Sequence, residues 1–134
     1  MSHWSLFFDG GSRGNPGPAA YGWVLHSPDG EEAARGCEHI GSTTNNVAEY
    51  TGLVRGLEHA VGLGITGLDV RGDSELIVKQ LNGIYRVKSK DLKPLYVRAK
   101  ELLESLSPTT VSHVYRDHNA VADALVNEAL DALL

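Results

Sequence analysis

The feature that most constrains this chain is a change of hydrophobic period near Asn46. Upstream, apolar residues fall in strand-like runs separated by turn chemistry: Trp4 to Asp9, then GGSRGNPGPAA, then Tyr21 to Ser27, PDGE, and Ala33 to Ile40. This order predicts an antiparallel meander, with Pro28-Asp29-Gly30 short enough to make the second and third strands a hairpin. From Asn46 onward Val47, Tyr50, Val54, Leu57 and Val61 recur at steps of three and four. That is the stripe of a half-buried helix, ending near Gly62 and Gly64.

Beyond that helix, strand and helix patterns alternate. Leu68 to Gly72 reads as a short strand closed by Gly72-Asp73, and Leu76, Ile77, Gln80 and Leu81 as a two-turn helix stopped at Asn82-Gly83. A third helix carries Leu92, Leu95, Tyr96, Ala99, Leu102, Leu103 and Leu106 on one face and ends at Ser107-Pro108. Val111 to Arg116 reads as a fifth strand, and a last helix from about Asn119 turns Ala122, Leu125, Val126, Ala129 and Leu133 inward. The fold class is α/β: a five-stranded mixed sheet, three antiparallel strands and then two parallel ones, flanked by about four helices. Crossover connections of this kind demand parallel strands packed against helices. No linker or repeat interrupts the order, so residues 1–134 are expected to form a single domain.

No apolar run approaches the roughly 20 residues that span a bilayer, and the opening MSHWSLFFDGG lacks the basic flank and apolar stretch of a secretory signal. The expectation is a cytoplasmic protein that does not engage membranes. Cys37 is the only cysteine, which excludes an internal disulfide and a paired-cysteine metal site and leaves it as a small core residue. The net charge of -5 weighs against indiscriminate phosphate binding, which calls for excess Lys and Arg. The distribution is uneven, however. Six of the 12 basic residues (Arg86, Lys88, Lys90, Lys93, Arg98 and Lys100) lie between positions 86 and 100, where Asp91 is the only acid. Composition alone fits either a solvated helix face or an electrostatic patch beside a site.

Four acids stand where elements begin or end, each with a local explanation. Asp9 closes the first strand before a glycine-rich turn, a place where Asp bonds nearby backbone. Glu49 follows Asn46 by three residues, the spacing of a capping box. Asp73 stands between strand and helix, a natural N-cap. Asp123 is in or near the first turn of the last helix, where the helix dipole favours negative charge. None of these explains why acids from four elements can converge on one edge of a parallel sheet, the edge where open α/β sheets bind ligands. Converging carboxylates repel one another, and a divalent cation offsets that repulsion, so the pattern points to a metal.

The motifs FFDGGSRGNPGPAAYGWVL, TTNNVAEYTGLVRGLEHA and VRGDSELIVKQLNG, with RDHNAVADALVNEAL near the end, resemble the type 1 ribonucleases H over nearly the whole chain. The resemblance is to the short bacterial and archaeal subgroup. It implies the ribonuclease H-like fold and an endonuclease that hydrolyses the RNA strand of RNA/DNA hybrids, leaving 3'-hydroxyl and 5'-phosphate ends. The same resemblance makes Asp9, Glu49, Asp73 and Asp123 the catalytic metal ligands for two Mg2+ ions, with Mn2+ as the alternative. Asp9 is then expected to bridge the ions, Glu49 and Asp73 to hold one, and Asp123 the other. Asn15, Thr44, Asn45 and Asn46 are implied as substrate contacts, small polar groups able to reach 2'-hydroxyls and phosphates. The implied partner is the hybrid itself, bound by a monomer with no obligate protein partner.

Three departures qualify the match. The basic protrusion of many members is replaced here by IYRVKSKD, leaving Arg86 to Lys100 to supply sequence-independent electrostatics, with Tyr85 placed to stack or pack there. The loop that often carries an auxiliary histidine is short, so either Arg116 or His118 could assist. Glu75 stands where some members place Gln. The other histidines, His3, His26, His39, His59 and His113, show no ligand spacing and are assigned nothing. Among competing readings, GGSRGNPG lacks the Lys-Ser/Thr pair of a phosphate loop and leads into a strand rather than a helix. A catalytically weak nucleic-acid-binding module of the same fold would be expected to have lost an acid, and an exonuclease or integrase-like relative usually comes as a longer chain.

Overall fold

The computed structural model of the chain describes residues 3–133. Its strands are β1 (Trp4–Ser12), β2 (Gly17–His26), β3 (Glu32–Thr43), β4 (Leu68–Gly72) and β5 (Thr109–His113). The helices are α1 (Asn45–Gly62), α2 (Glu75–Leu81), α3 (Lys93–Ser105) and α4 (Ala120–Asp131), with a 3-10 turn at Arg116–His118. The strands form one sheet in the order β3-β2-β1-β4-β5. β1, β2 and β3 pair antiparallel, while β1, β4 and β5 pair parallel, as the crossover argument required.

The first two strands are longer than the turn signals suggested. β1 runs past Asp9 to Ser12, with Gly10 and Gly11 opposite Tyr21 and Ala20, so the connection shrinks to residues 13–16. The glycines that looked like a turn are strand residues, and Gly10 is kept small by the α1 main chain packed on it. β5 is shorter than expected: it ends at His113, and Arg116 belongs to the 3-10 turn.

Alternate residues of β2 go to opposite faces. Tyr21, Trp23 and Leu25 join Leu6, Phe8, Val70 and the inner faces of α1 and α3 in the main core. Ala20 meets Val126, Ala129 and Leu130 of α4 in a smaller cluster on the other face, with Cys37 partly buried against it. Each fully buried Leu or Phe contributes about 1.5–3 kcal/mol relative to exposure, so the α1 side holds most of the stability. Three inward assignments fail at helix ends, where the stripe drifts off the core: Val61 (37%), Leu76 (38%) and Leu133 (52%) are exposed, and Val78 and Leu130 are buried instead. No described helix is long and apolar enough to cross a membrane.

Candidate active site

β1 and β4 run side by side only as far as the register pair Phe8 and Gly72. The next residues are Asp9 and Asp73, so the end of the parallel pairing delivers two carboxylates to one edge. Two close approaches bring the other two. A Cβ added at Gly10 would lie 2.3 Å from the main chain of Ala48 and Glu49, so α1 rests directly on β1 and carries Glu49 to Asp9. On the opposite face a Cβ at Gly22, the register partner of Asp9, would lie 2.7 Å from the Ala122 carbonyl and the Leu125 Cβ. That contact seats the first turn of α4, with Asp123 on it.

The carboxylates of Asp9, Glu49 and Asp73 each offer an oxygen within 4.8 Å of the others, the one such group of metal-capable side chains among the described residues. Asp123 stands outside that triplet but lines the same cleft, of about 450 Å³. Three larger hollows, of about 700, 580 and 520 Å³, lie along α3 and β5, at the other end of the sheet, and between α3 and the α2–α3 connection; none gathers such a group.

Asp9 and Glu49 are 7% and 8% exposed. Burial, with Asp73 and Asp123 nearby, pushes the Asp9 carboxyl up to about 7 against the pull of the Gly10 N–H, which donates to its Oδ1 at 2.8 Å. Burial again, then Asp9 and Asp73, pushes Glu49 up to about 9. Without a cation, then, burial and mutual repulsion work against full ionisation of the pair. An all-oxygen donor set of this kind fits a hard divalent ion such as magnesium or manganese. Asp9, Glu49 and Asp73 are placed to hold it, with Asp123 at the margin.

The local explanations fall away for three of these acids and hold for Asp123. The N-cap of α1 is Thr44, whose Oγ1 accepts from the Val47 N–H at 3.3 Å, so Glu49 lies a turn inside the helix and has no capping role. The N-cap of α2 is Ser74, accepting from the Ile77 N–H, which leaves Asp73 uninvolved in capping. Asp9 is inside a strand and not in a turn. Asp123 does sit in the first turn of α4.

The four implied substrate residues divide. Asn45 and Asn46 line the cleft; Asn15 and Thr44 do not. Asn45 Oδ1 accepts from the Ser12 N–H at 2.8 Å and the Ser12 hydroxyl at 2.9 Å, while the Asn45 N–H donates to Asn15 Oδ1 at 3.1 Å. These bonds tie the β1–β2 turn to the start of α1. The auxiliary candidates divide as well. Arg116 lines the cleft, whereas His118 lines a separate hollow with Phe7, Val24 and His26. Sequence reasoning passed over Arg13, which lines the cleft and pairs with Asp131 of α4 across the chain. It also gave no role to Asn119, though the spacing of Asn119 to Asp123 was visible.

A family model described as reverse transcriptase-like matches residues 7–129. The chain is 51% identical over 93% of its length to ribonuclease HI of Halobacterium salinarum. It is 48% identical over 92% of its length to a bifunctional protein of Mycobacterium tuberculosis. It spans 63% of the former and 34% of the latter. The crystal structure of RNase H1 from Halobacterium salinarum superposes with a TM-score of 0.92 at 50% identity, covering 96% of this chain and 98% of that one. LC11-RNase H1, isolated from compost and solved in complex with an RNA/DNA hybrid, gives 0.91 at 41% identity, covering 97% and 98%.

Proposed function

From the premise that this chain belongs to the ribonuclease H family, we propose that it is a metal-dependent endonuclease that hydrolyses the RNA strand of RNA/DNA hybrids. The observation that carries the reading is the convergence of Asp9, Glu49 and Asp73 within 4.8 Å, beside Asp123, in a solvent-open cleft. A divalent cation held there, magnesium in the first instance and manganese as the alternative, supplies the positive charge that polarises a phosphodiester and stabilises its leaving oxygen.

The protein's own groups do the remaining work. The four carboxylates, ionised once their charge is compensated, act as rigid oxygen donors, because burial and the contacts at Gly10 and Gly22 fix the elements that carry them. Arg116 faces the cleft and offers a phosphate a guanidinium partner; Arg13, half committed to Asp131, offers a second. The amides of Asn45 and Asn46 lie on the wall where a ribose 2'-hydroxyl can be recognised, with Asn15 and Thr44 acting behind them as supports. Arg86, Lys88, Lys90 and Lys93 are exposed, while Arg98 pairs with Glu58 and Lys100 donates to the Leu81 carbonyl. The four without a recorded partner among the described residues supply salt-sensitive attraction to the hybrid backbone. Residues 1–134 act as one domain and as a monomer in the cytoplasm, leaving 3'-hydroxyl and 5'-phosphate ends.

The test is cleavage of an end-labelled hybrid duplex in EDTA and then with magnesium or manganese, wild type against Asp73→Asn. Cuts confined to the RNA strand, metal-dependent and absent in the variant, are expected. Binding without cutting under every metal would replace the enzyme reading with that of a binding module.

A further inference from the structure

Asn119 is 1% exposed and lies between the 3-10 turn and α4. Its Nδ2 donates to the Phe8 carbonyl at 2.9 Å and to Asp73 Oδ2 at 3.3 Å. Both partners are acceptors, so the orientation of the amide is fixed by its surroundings. Its own carbonyl accepts from the Asp123 N–H at 3.1 Å. One residue thus bonds to the strand position preceding Asp9, to the side chain of Asp73 and to the main chain of Asp123. The other side-chain atom, Oδ1, is buried with no hydrogen-bond partner among the described residues.

A buried acceptor without a donor destabilises a fold, and an apolar side chain of similar volume would avoid the cost. A position serving packing alone gains nothing from an amide. Here the amide protons tie β1 to the Asp73 carboxylate, occupying one lone-pair direction of Oδ2 and leaving the rest of that carboxylate free toward Asp9 and Glu49.

We propose that Asn119 is a positioning residue: its amide holds the Asp73 carboxylate against β1 while its carbonyl anchors the turn bearing Asp123, so that the acids meet a cation in one preset arrangement. This rests on the metal-dependent reading of the cleft. Groups that orient metal ligands from behind lower metal affinity or activity when removed, typically about 10- to 100-fold.

The experiment compares wild type with Asn119→Leu, which keeps the volume and loses both donors. Three quantities are read: Mn2+ affinity by titration calorimetry, kcat and KM on a hybrid duplex, and the thermal midpoint in EDTA. Mn2+ affinity and kcat are expected to fall about 10- to 100-fold, KM for the hybrid to stay within about twofold, and the midpoint in EDTA not to fall. A folded Asn119→Leu protein with wild-type Mn2+ affinity and kcat would overturn the proposal. Should that variant not fold, Asn119→Ala carries the same expectation for Mn2+ affinity and kcat, with a lowered midpoint from the cavity it leaves, and loss of folding in both would reduce Asn119 to a packing residue. Wild type that binds Mn2+ without cutting, alongside weakened Mn2+ binding in the variant, would remove the nuclease reading and leave the positioning role standing.

Discussion

Phe8 and Gly72 face each other as the last register pair between β1 and β4, and each is followed by a carboxylate. The spacing of Asp9 and Asp73 is therefore set by sheet geometry, which places neighbouring strands about 4.8 Å apart. Two acids that close repel unless something positive lies between them. Replacing either with Asn should abolish cleavage and leave the fold intact. In EDTA the Asp9→Asn protein should melt higher than wild type by about 3–10 °C, since one to two kcal/mol of repulsion and desolvation disappear. Calorimetric melting in EDTA checks this; a lowered midpoint would contradict the repulsion argument.

The raised carboxyls of Asp9 and Glu49 also give stability a direction with pH. Their folded values, about 7 and about 9, lie above the ordinary values of 3.8 and 4.5, so between those limits the folded protein binds more protons than the unfolded chain. Stability contributed by the two groups is fully present below the ordinary values and is lost as pH rises through the folded ones. In EDTA the midpoint should decline from weakly acidic to alkaline pH, and added magnesium should recover it most at the alkaline end. A midpoint that climbed over this range in EDTA would contradict the assignment.

Gly10 and Gly22 admit no side chain without displacing main chain. Gly10→Ala pushes on α1 and Gly22→Ala on α4, so each should cost about 1–3 kcal/mol or more, the usual penalty of overpacking. Activity should fall further than stability, because each displacement moves a carboxylate. Urea unfolding set beside hybrid cleavage separates the two effects.

Arg116 and His118 are two residues apart yet face different hollows. Arg116→Ala should lower kcat/KM for the hybrid by about 10-fold or more, as expected for a lost charge-assisted contact of 1.5–3 kcal/mol. His118→Ala should leave it unchanged. Steady-state kinetics on both variants decides between them.

Thr44→Ala removes the α1 cap and should cost about 1 kcal/mol. Because that cap lies outside the cleft, KM for the hybrid should change less than in Asn45→Ala, which unties Ser12 and alters the cleft wall as well.

The element order and the mixed sheet were readable in the sequence because hydrophobic period reports burial directly. The stripe from Val47 to Leu57 is one case; the alternation along β2 behind Trp23 and Leu25 is another. The acids were legible as a set through family likeness; of the element boundaries read for them, only those at Asp73 and Asp123 held, since Asp9 lies inside β1 and Glu49 inside α1. What the sequence hid was which side chains cap and which face the cleft. Asn46 with Glu49 has capping-box spacing, yet Thr44 starts the helix two residues earlier and releases Glu49 for the site. Gly10 and Gly11 carry the letters of a turn, but both lie in β1, and the smallness of Gly10 answers Ala48 and Glu49, which no local window contains. Asn119 shows the same limit: its partners, Phe8 and Asp73, lie 111 and 46 positions away.

α4 is the last helix in chain order and brings both Asn119, at its cap, and Asp123. A polypeptide emerging from the ribosome therefore exposes β1, α1 and β4 while still lacking the clamp and the fourth acid. The cleft therefore gains its fourth acid only when α4 docks on β2, whereas Asp9, Glu49 and Asp73 come together without it.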